Sequence, residues 1–217
     1  MNGGAKKEYR LLDGVPVLAR AIAPFLAEGF APIVVTVPPG HLARAARLLG
    51  PHVPPGPVRL VEGGETRQQS VLLALRALAP DRPGVVLIHD GARPWASAAL
   101  VRAVLEGASR HGACVPALEA HEAVKEIAGG AAAGTAVVRH LPRHTIRLAQ
   151  TPQGFSFPRI LAAHEKAAAA GVSCVDDAEV FALSEGPVAW VEGEPDNTKI
   201  TRERDIGGAA ARPGGRA

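Results

Sequence analysis

The chain of 217 residues has little that would tie it to a membrane, an oxidising compartment or a nucleic acid. Its two cysteines, Cys114 and Cys174, lie far apart and outside any CxxC pattern. Both read as small buried hydrophobes of a reducing compartment, not as a disulfide or a metal site. No stretch approaches the run of about 20 apolar residues that spans a bilayer. The opening Met1-Asn2-Gly3-Gly4-Ala5-Lys6-Lys7-Glu8 lacks the apolar centre of a secretory signal. These absences predict a cytoplasmic protein with no membrane partner. The excess of positive charge is only +3 and comes from scattered arginines, several of them near the C-terminal end. That is too thin for a nucleic-acid-binding face, though it suits phosphorylated small molecules. The single methionine, beside many Ala, Gly, Pro and Arg residues, reflects a biased base composition and carries no function. There is no internal repeat.

The length suits a single domain, residues 1–217, with a substantial core. Short β-branched runs alternate with longer helical segments, which predicts an α/β domain with a mostly parallel sheet flanked by helices. Helices are expected over residues 15–28, 41–49, 66–78, 97–110, 157–170 and 176–183, and strands over 32–37, 58–61, 85–88, 113–118 and 188–191. Residues 32–37 are too uniformly apolar for a half-exposed strand and should be buried on both faces. Thr66-Arg67-Gln68-Gln69 has the T-x-x-Q form of a capping box. From 119 to 148 the periodicity breaks down. Strand-like pieces at 124–127 and 145–148 flank a small, flexible stretch at 129–134 and read as a projecting hairpin arm. Thr201 is expected to cap a last helix, and residues 209–217 to form a disordered tail.

Ligands of open α/β sheets bind beyond the carboxyl ends of the strands, and three loops there carry unusual residues. In Gly63-Gly64-Glu65-Thr66-Arg67-Gln68-Gln69-Ser70 the glycine pair lets the backbone approach a flat ligand, and the capped helix start offers free N–H groups. A plain turn with an N-cap explains the same residues. In His89-Asp90-Gly91-Ala92-Arg93-Pro94 an acid follows a buried strand, where one carboxylate can hold Mg²⁺, and Arg93 can meet a phosphate. An Asp–Arg pair shaping a turn would look the same. In Asp196-Asn197-Thr198-Lys199-Ile200-Thr201 the lysine either reaches the mouth of the sheet or points into solvent.

Those three segments, with Ala149-Gln150-Thr151-Pro152-Gln153-Gly154-Phe155 and Asp176-Asp177-Ala178, fall in the order and spacing of one family. Lys7-Glu8-Tyr9 and Leu12-Asp13-Gly14-Val15-Pro16-Val17-Leu18 add a further match near the start. To about Ile206 the chain resembles the 2-C-methyl-D-erythritol 4-phosphate cytidylyltransferases. The resemblance implies a Rossmann-like α/β fold with a projecting β-arm. It implies transfer of CMP from CTP to a sugar phosphate, with Mg²⁺ as cofactor and pyrophosphate released. It further implies that Gly63, Gly64, Glu65 and Ser70 read the cytosine and that Asp90 binds the metal. Lys7 and Lys199 would stabilise charge at the α-phosphorus. Arg93, Thr151, Arg143 and Lys199 would face the substrate, and the arm would cross to a partner subunit in a homodimer.

Three segments depart from the family pattern. The family opens with a strand and P-A-A-G-x-G-x-R-M-G, a loop whose N–H groups and arginine cradle the triphosphate. Here Met1-Asn2-Gly3-Gly4 resembles the last residues of that loop. The expectation is a protein longer by about 15–25 residues; the alternative is a truncated, inactive paralogue that only dimerises or binds nucleotide. Without the interior first strand, neighbouring strands would hold unpaired backbone groups costing about 1–3 kcal/mol each. Val175 stands where the family has a threonine, and Glu122-Ala123-Val124-Lys125 where the arm has Asp-Thr. The two lost hydroxyls make another polyol phosphate, such as ribitol 5-phosphate, an alternative acceptor.

Other residues carry blander readings. His140 and His144 are four apart in the arm, but with Pro142 between them and no nearby Cys or carboxylate they do not suggest a metal site. His89 reads as structural, because an attacking phosphate needs no base near neutral pH. Trp95, Trp190 and the stripe Leu72, Leu75, Leu78 read as core.

Overall fold

The computed structural model describes residues 6–128, 136–202 and 205. The chain enters through a short 3₁₀ turn at Lys7–Tyr9 and a small hairpin of β1 (Leu11–Leu12) and β2 (Val15–Pro16). Asp13 and Gly14, both at positive φ, form its two-residue turn, the backbone that an Asp-Gly pair favours between strands. This hairpin takes the first two residues of the helix expected from 15, so α1 spans Val17–Ala27.

Then follow β3 (Ile33–Val37), α2 (Leu42–Leu49), β4 (Val58–Glu62), α3 (Arg67–Leu78), β5 (Val85–Ile88), α4 (Ala98–His111) and β6 (Ala113–Glu119). The arm strands are β7 (Lys125–Ile127) and β8 (Val137–His140). The chain returns through β9 (Arg147–Ala149), β10 (Gln153–Ser156), α5 (Phe157–Ala169), α6 (Asp177–Glu185) and β11 (Ala189–Glu192).

The sheet order is β11–β6–β10–β5, with β9 on β6 as well. β11 runs parallel to β6, while β10 lies antiparallel between β6 and β5. β5, β6 and β11 therefore point the same way, as expected of this α/β fold. The reversed strand β10 was missed because Gln153-Gly154-Phe155-Ser156 is too short and mixed to read as a strand. Gly154 is required there: a Cβ would stand 2.8 Å from both Ala108 Cβ and Leu87 Cδ2. Phe155 and Phe181, fully buried, stack beside Ile160 and Leu75 to make the core of this half.

β3 and β4 pair in parallel as a second sheet. Among the described residues no ladder joins β3 to β5. The two strands instead line a cavity of about 970 Å³, with Ile22 and Phe25 of α1 and Leu75 and Leu78 of α3 also at its wall. Val35 and Val37 are buried, but Ile33, Val34 and Thr36 are only half-buried. The expected burial of this strand on both faces is therefore incomplete, and the cavity beside it is the reason.

The arm differs from its expected form. The strand beside β7 is β8, whereas Arg147–Ala149 pairs with β6 in the main sheet. Both segments are extended and short, and only tertiary pairing distinguishes them. The stretch 129–134, the tail 209–217 and the opening residues 1–5 lie outside the described residues, as does most of the expected last helix. Trp190 is not core. It is half exposed on β11, with the Arg147 guanidinium 5.0 Å from its ring centre. Trp95 is half-buried and packs on Leu12, Val17 and Ile200. Cys114 is buried and Cys174 half-buried, and both are free. No described helix is long and apolar enough to cross a membrane.

Candidate active site

The glycine loop follows β4 directly. Thr66 caps α3 as predicted: its hydroxyl accepts from Gln69 N–H at 3.1 Å, and the Gln69 side-chain oxygen Oε1 accepts from Thr66 N–H at 3.1 Å and Glu65 N–H at 2.9 Å. The Ser70 hydroxyl donates to Thr66 O at 2.9 Å and accepts from Gly64 N–H at 3.1 Å. A Cβ on Gly63 would stand 2.6 Å from Ser70 Oγ, and one on Gly64 2.5 Å from Gln69 Cβ. The glycine pair is thus imposed by close packing on the first turn of α3. Gly63, Gly64, Glu65 and Ser70 all border the large cavity near its mouth.

Asp90, just past β5, is where the charges meet. Its Oδ2 lies 2.7 Å from Lys199 Nζ and 3.9 Å from Arg93 Nε; its Oδ1 accepts from Arg67 Nε at 3.1 Å. Burial alone would raise this carboxyl. The hydrogen bond from Lys199 and the charge of Arg67 reverse that and hold it at about 2. Burial likewise favours loss of the Arg67 proton, but Asp177 and Asp90 outweigh it and raise its pKa. Arg93 is pushed down by burial, with Asp90 opposing.

Behind Asp90 the backbone is locked. Its N–H donates to Thr151 Oγ1 at 3.0 Å. His89 Nε2 lies 3.0 Å from Arg93 O and its Nδ1 3.0 Å from Thr151 Oγ1. A carbonyl can only accept, so Nε2 carries the proton and the Thr151 hydroxyl donates to Nδ1. Burial lowers the His89 pKa to about 4, which keeps the ring neutral. His89 is structural in this geometry, as read from the sequence. Thr151 is buried with its hydroxyl engaged on both sides, so it orients the Asp90 loop from within.

Lys199 is held at the mouth by Gln150 and Asn197, two amides to which the sequence alone gives no role. The Gln150 amide donates to Glu194 O at 2.8 Å and accepts from Glu194 N–H at 3.1 Å. The Asn197 amide donates to Thr151 O at 2.9 Å, and Arg93 Nη1 donates to Asn197 O at 2.7 Å. Ile200 N–H closes the loop on Ala92 O at 2.8 Å. Gly193 permits this docking, since a Cβ there would stand 2.8 Å from Gln150 Oε1. Amide side chains in a loop give no signal of such pinning until their partners are known.

Among the nominated residues, Gly63, Gly64, Glu65, Ser70, Asp90, Arg93, Thr151 and Lys199 thus form one connected mouth. Two others stand apart. Lys7 lies in the 3₁₀ turn, and it is its neighbours Lys6 and Glu8 that border the cavity. Arg143 is in the arm, where its Nη1 donates to His121 O at 3.0 Å. Arg67 and Asp177 belong to the site's charge network and were not nominated. Among the described residues no group of three or more His, Cys, Asp or Glu side chains could cage a metal. What the mouth offers a cation is one carboxylate, deprotonated at any ordinary pH. That fits a hard divalent ion that keeps its other ligands as phosphate oxygens and water.

An α/β sheet whose strand ends gather a glycine ledge, one carboxylate and several cations defines a domain built for a phosphorylated ligand. A family model described as 2-C-methyl-D-erythritol 4-phosphate cytidylyltransferase matches residues 1–212. The chain belongs to that family. It is 34% identical over 201 residues to the 2-C-methyl-D-erythritol 4-phosphate cytidylyltransferase of Acidobacterium capsulatum, covering 92% of this chain and 84% of the relative. It is 40% identical over 209 residues to the bifunctional enzyme IspD/IspF of Rhodopseudomonas palustris, covering 94% of this chain and 50% of the relative. The chain thus spans about half the length of such bifunctional relatives. The crystal structure of the Thermus thermophilus 2-C-methyl-D-erythritol 4-phosphate cytidylyltransferase superposes with a TM-score of 0.78 at 36% identity, covering 96% of this chain and 93% of that one.

Proposed function

We propose that the protein transfers CMP from CTP to 2-C-methyl-D-erythritol 4-phosphate and releases pyrophosphate, as a cytoplasmic enzyme of isoprenoid precursor synthesis in which residues 1–217 form one nucleotidyltransferase domain. The observation that carries this reading is the convergence of Asp90, Lys199 and the Gly63–Gly64 ledge on one mouth in a chain of this family. The ledge lets the cytosine lie against backbone, with Glu65 and Ser70 at its edge. In the transfer an acceptor phosphate oxygen attacks the α-phosphorus, and the bond to the β-phosphate's bridging oxygen breaks. The charge that moves to the pyrophosphate needs fixed cations more than a base. Lys199 supplies one from the mouth, and Lys7 would supply a second only by turning from the entry turn toward the cavity that its neighbours Lys6 and Glu8 border. Arg93 and Arg143 would hold the acceptor phosphate, Arg143 from the arm of a partner subunit in a homodimer. Asp90 would hold Mg²⁺, which when bound neutralises triphosphate charge.

The cavity between β3 and β5 supports a second part of the reading. Lys6 and Glu8 border the same cavity as those two strands. One more apolar strand in that cavity, followed by a glycine loop, would bring backbone N–H groups to the triphosphate side.

The acceptor has one competitor. Val175 is 90% exposed at the position where the family carries a threonine, which keeps ribitol 5-phosphate as a second candidate. Pyrophosphate release from CTP, measured on the full-length protein with each polyol phosphate in turn, is the test. Fast release with methylerythritol phosphate alone is expected. Release with ribitol phosphate alone would transfer the activity to the second acceptor. No release with either would leave a non-catalytic paralogue.

A further inference from the structure

Arg67 occupies the first position of α3. A cation is unfavourable there, because the helix N-terminus carries positive partial charge and prefers acids. Its location therefore has a tertiary cause, and two carboxylates supply it. Nε meets Asp90 Oδ1 at 3.1 Å and Nη2 meets Asp177 Oδ2 at 2.6 Å. The second carboxylate is itself fixed. Asp177 is fully buried at the start of α6, and its other oxygen, Oδ1, lies 3.1 Å from Nε2 of His164, also fully buried. With both oxygens engaged in a packed interior, Asp177 cannot turn.

We propose that Arg67 is a positioning residue for the transfer reaction, a fork anchored on Asp177 and His164 that fixes the orientation of the Asp90 carboxylate. The proposal rests on the reading of Asp90 as the metal-side carboxylate. The guanidinium is planar, and its Nε and Nη donors keep a fixed spacing, so anchoring one sets the other. Asp90 is thereby held by Oδ1 and presents Oδ2 to the mouth, where Lys199 now stands. Without the fork, both oxygens of Asp90 are free to rotate onto Lys199 and Arg93. A carboxylate that rotates between those two cations has no single oxygen fixed toward a metal. A lysine at 67 keeps the charge but, as a point donor, cannot hold two carboxylates at fixed geometry.

The test compares the full-length wild type with Arg67→Lys and Arg67→Gln, using CTP as the probe. Calorimetry gives its affinity with and without Mg²⁺, thermal unfolding reports on the fold, and turnover is measured at saturating CTP. Expected is a loss of about 10–100-fold in the gain of CTP affinity that Mg²⁺ confers, or in turnover, as for other residues that orient a ligating carboxylate. Metal-free CTP affinity should stay near the wild-type value, and Arg67→Lys should not restore the loss. If folded Arg67→Lys retains both the wild-type Mg²⁺ gain and turnover, Arg67 is only a strut and the proposal is overturned. Should Arg67→Gln fail to fold, the lysine variant alone decides. A wild type that binds no CTP would instead overturn the reading of the site itself.

Discussion

The mouth of the sheet and the arm are both rich in charge, yet they are built in opposite ways. At the mouth Asp90 and Asp177 find partners from distant parts of the chain: Asp90 meets Arg67 and Lys199, and buried Asp177 meets Arg67 and His164. In the arm the described pairs are local and wet, such as Arg139 with Glu126 at 2.7 Å, both well exposed. The arm also leaves Ile127, Val137 and Val138 exposed, where the mouth stands against the packed core of Phe155 and Phe181. Charge at the mouth is partly desolvated, most fully at Asp177, so removing one partner there leaves a costly unpaired group. Charge on the arm is screened and worth little. The charge pairs of the mouth close within one chain; the arm has exposed apolar residues that another surface would cover.

The contrast is broken most severely by removing the buried anchor. Asp177→Ala strands both Arg67 and His164, and a loss of about 3–5 kcal/mol in unfolding free energy is expected, read by urea denaturation at neutral pH. A mouth whose charges were solvent-screened would lose far less. The next effect comes from pH. His89 titrates at about 4 in the fold, against an ordinary value of 6.5. Between those values the unfolded chain binds a proton that the native one refuses, so stability falls as pH drops from about 6.5 to about 4. The shift corresponds to about 3 kcal/mol, measurable by denaturation at stepped pH. The smallest effect belongs to the arm. Arg139→Ala should change stability by no more than about 1 kcal/mol. Val138→Asp should leave unfolding equally unaffected yet shift sedimentation from dimer to monomer if the arm meets a partner.

Local chemistry was legible in the chain, and long-range pairing was not. Thr66 with Gln69 announces a helix start within three residues of itself, and the cap forms. Asp90 after an apolar strand and the Gly63–Gly64 pair were visible for the same reason. The Asp13-Gly14 hairpin was equally local and was overlooked because the apolar spacing from Val15 onward already fitted a helix. By contrast the Arg67–Asp177 contact spans 110 positions, and nothing near Arg67 marks its partner. The same limit hid β10 and misassigned the arm: short extended pieces look alike until one finds that Arg147–Ala149 pairs with β6. Gln150 and Asn197 were unreadable as supports, since their value lies in the backbone groups they meet.

On the proposed reading Asp90, held between Arg67 and Lys199, carries the metal-side chemistry of a cytidylyl transfer. The most direct measurement is the single-turnover rate of Asp90→Asn at saturating CTP and Mg²⁺, beside the affinity of the same variant for CTP. The side chain keeps its shape but loses its charge, so the rate should fall by about 10²–10³-fold while CTP affinity falls much less. A wild-type rate in that variant would contradict the account.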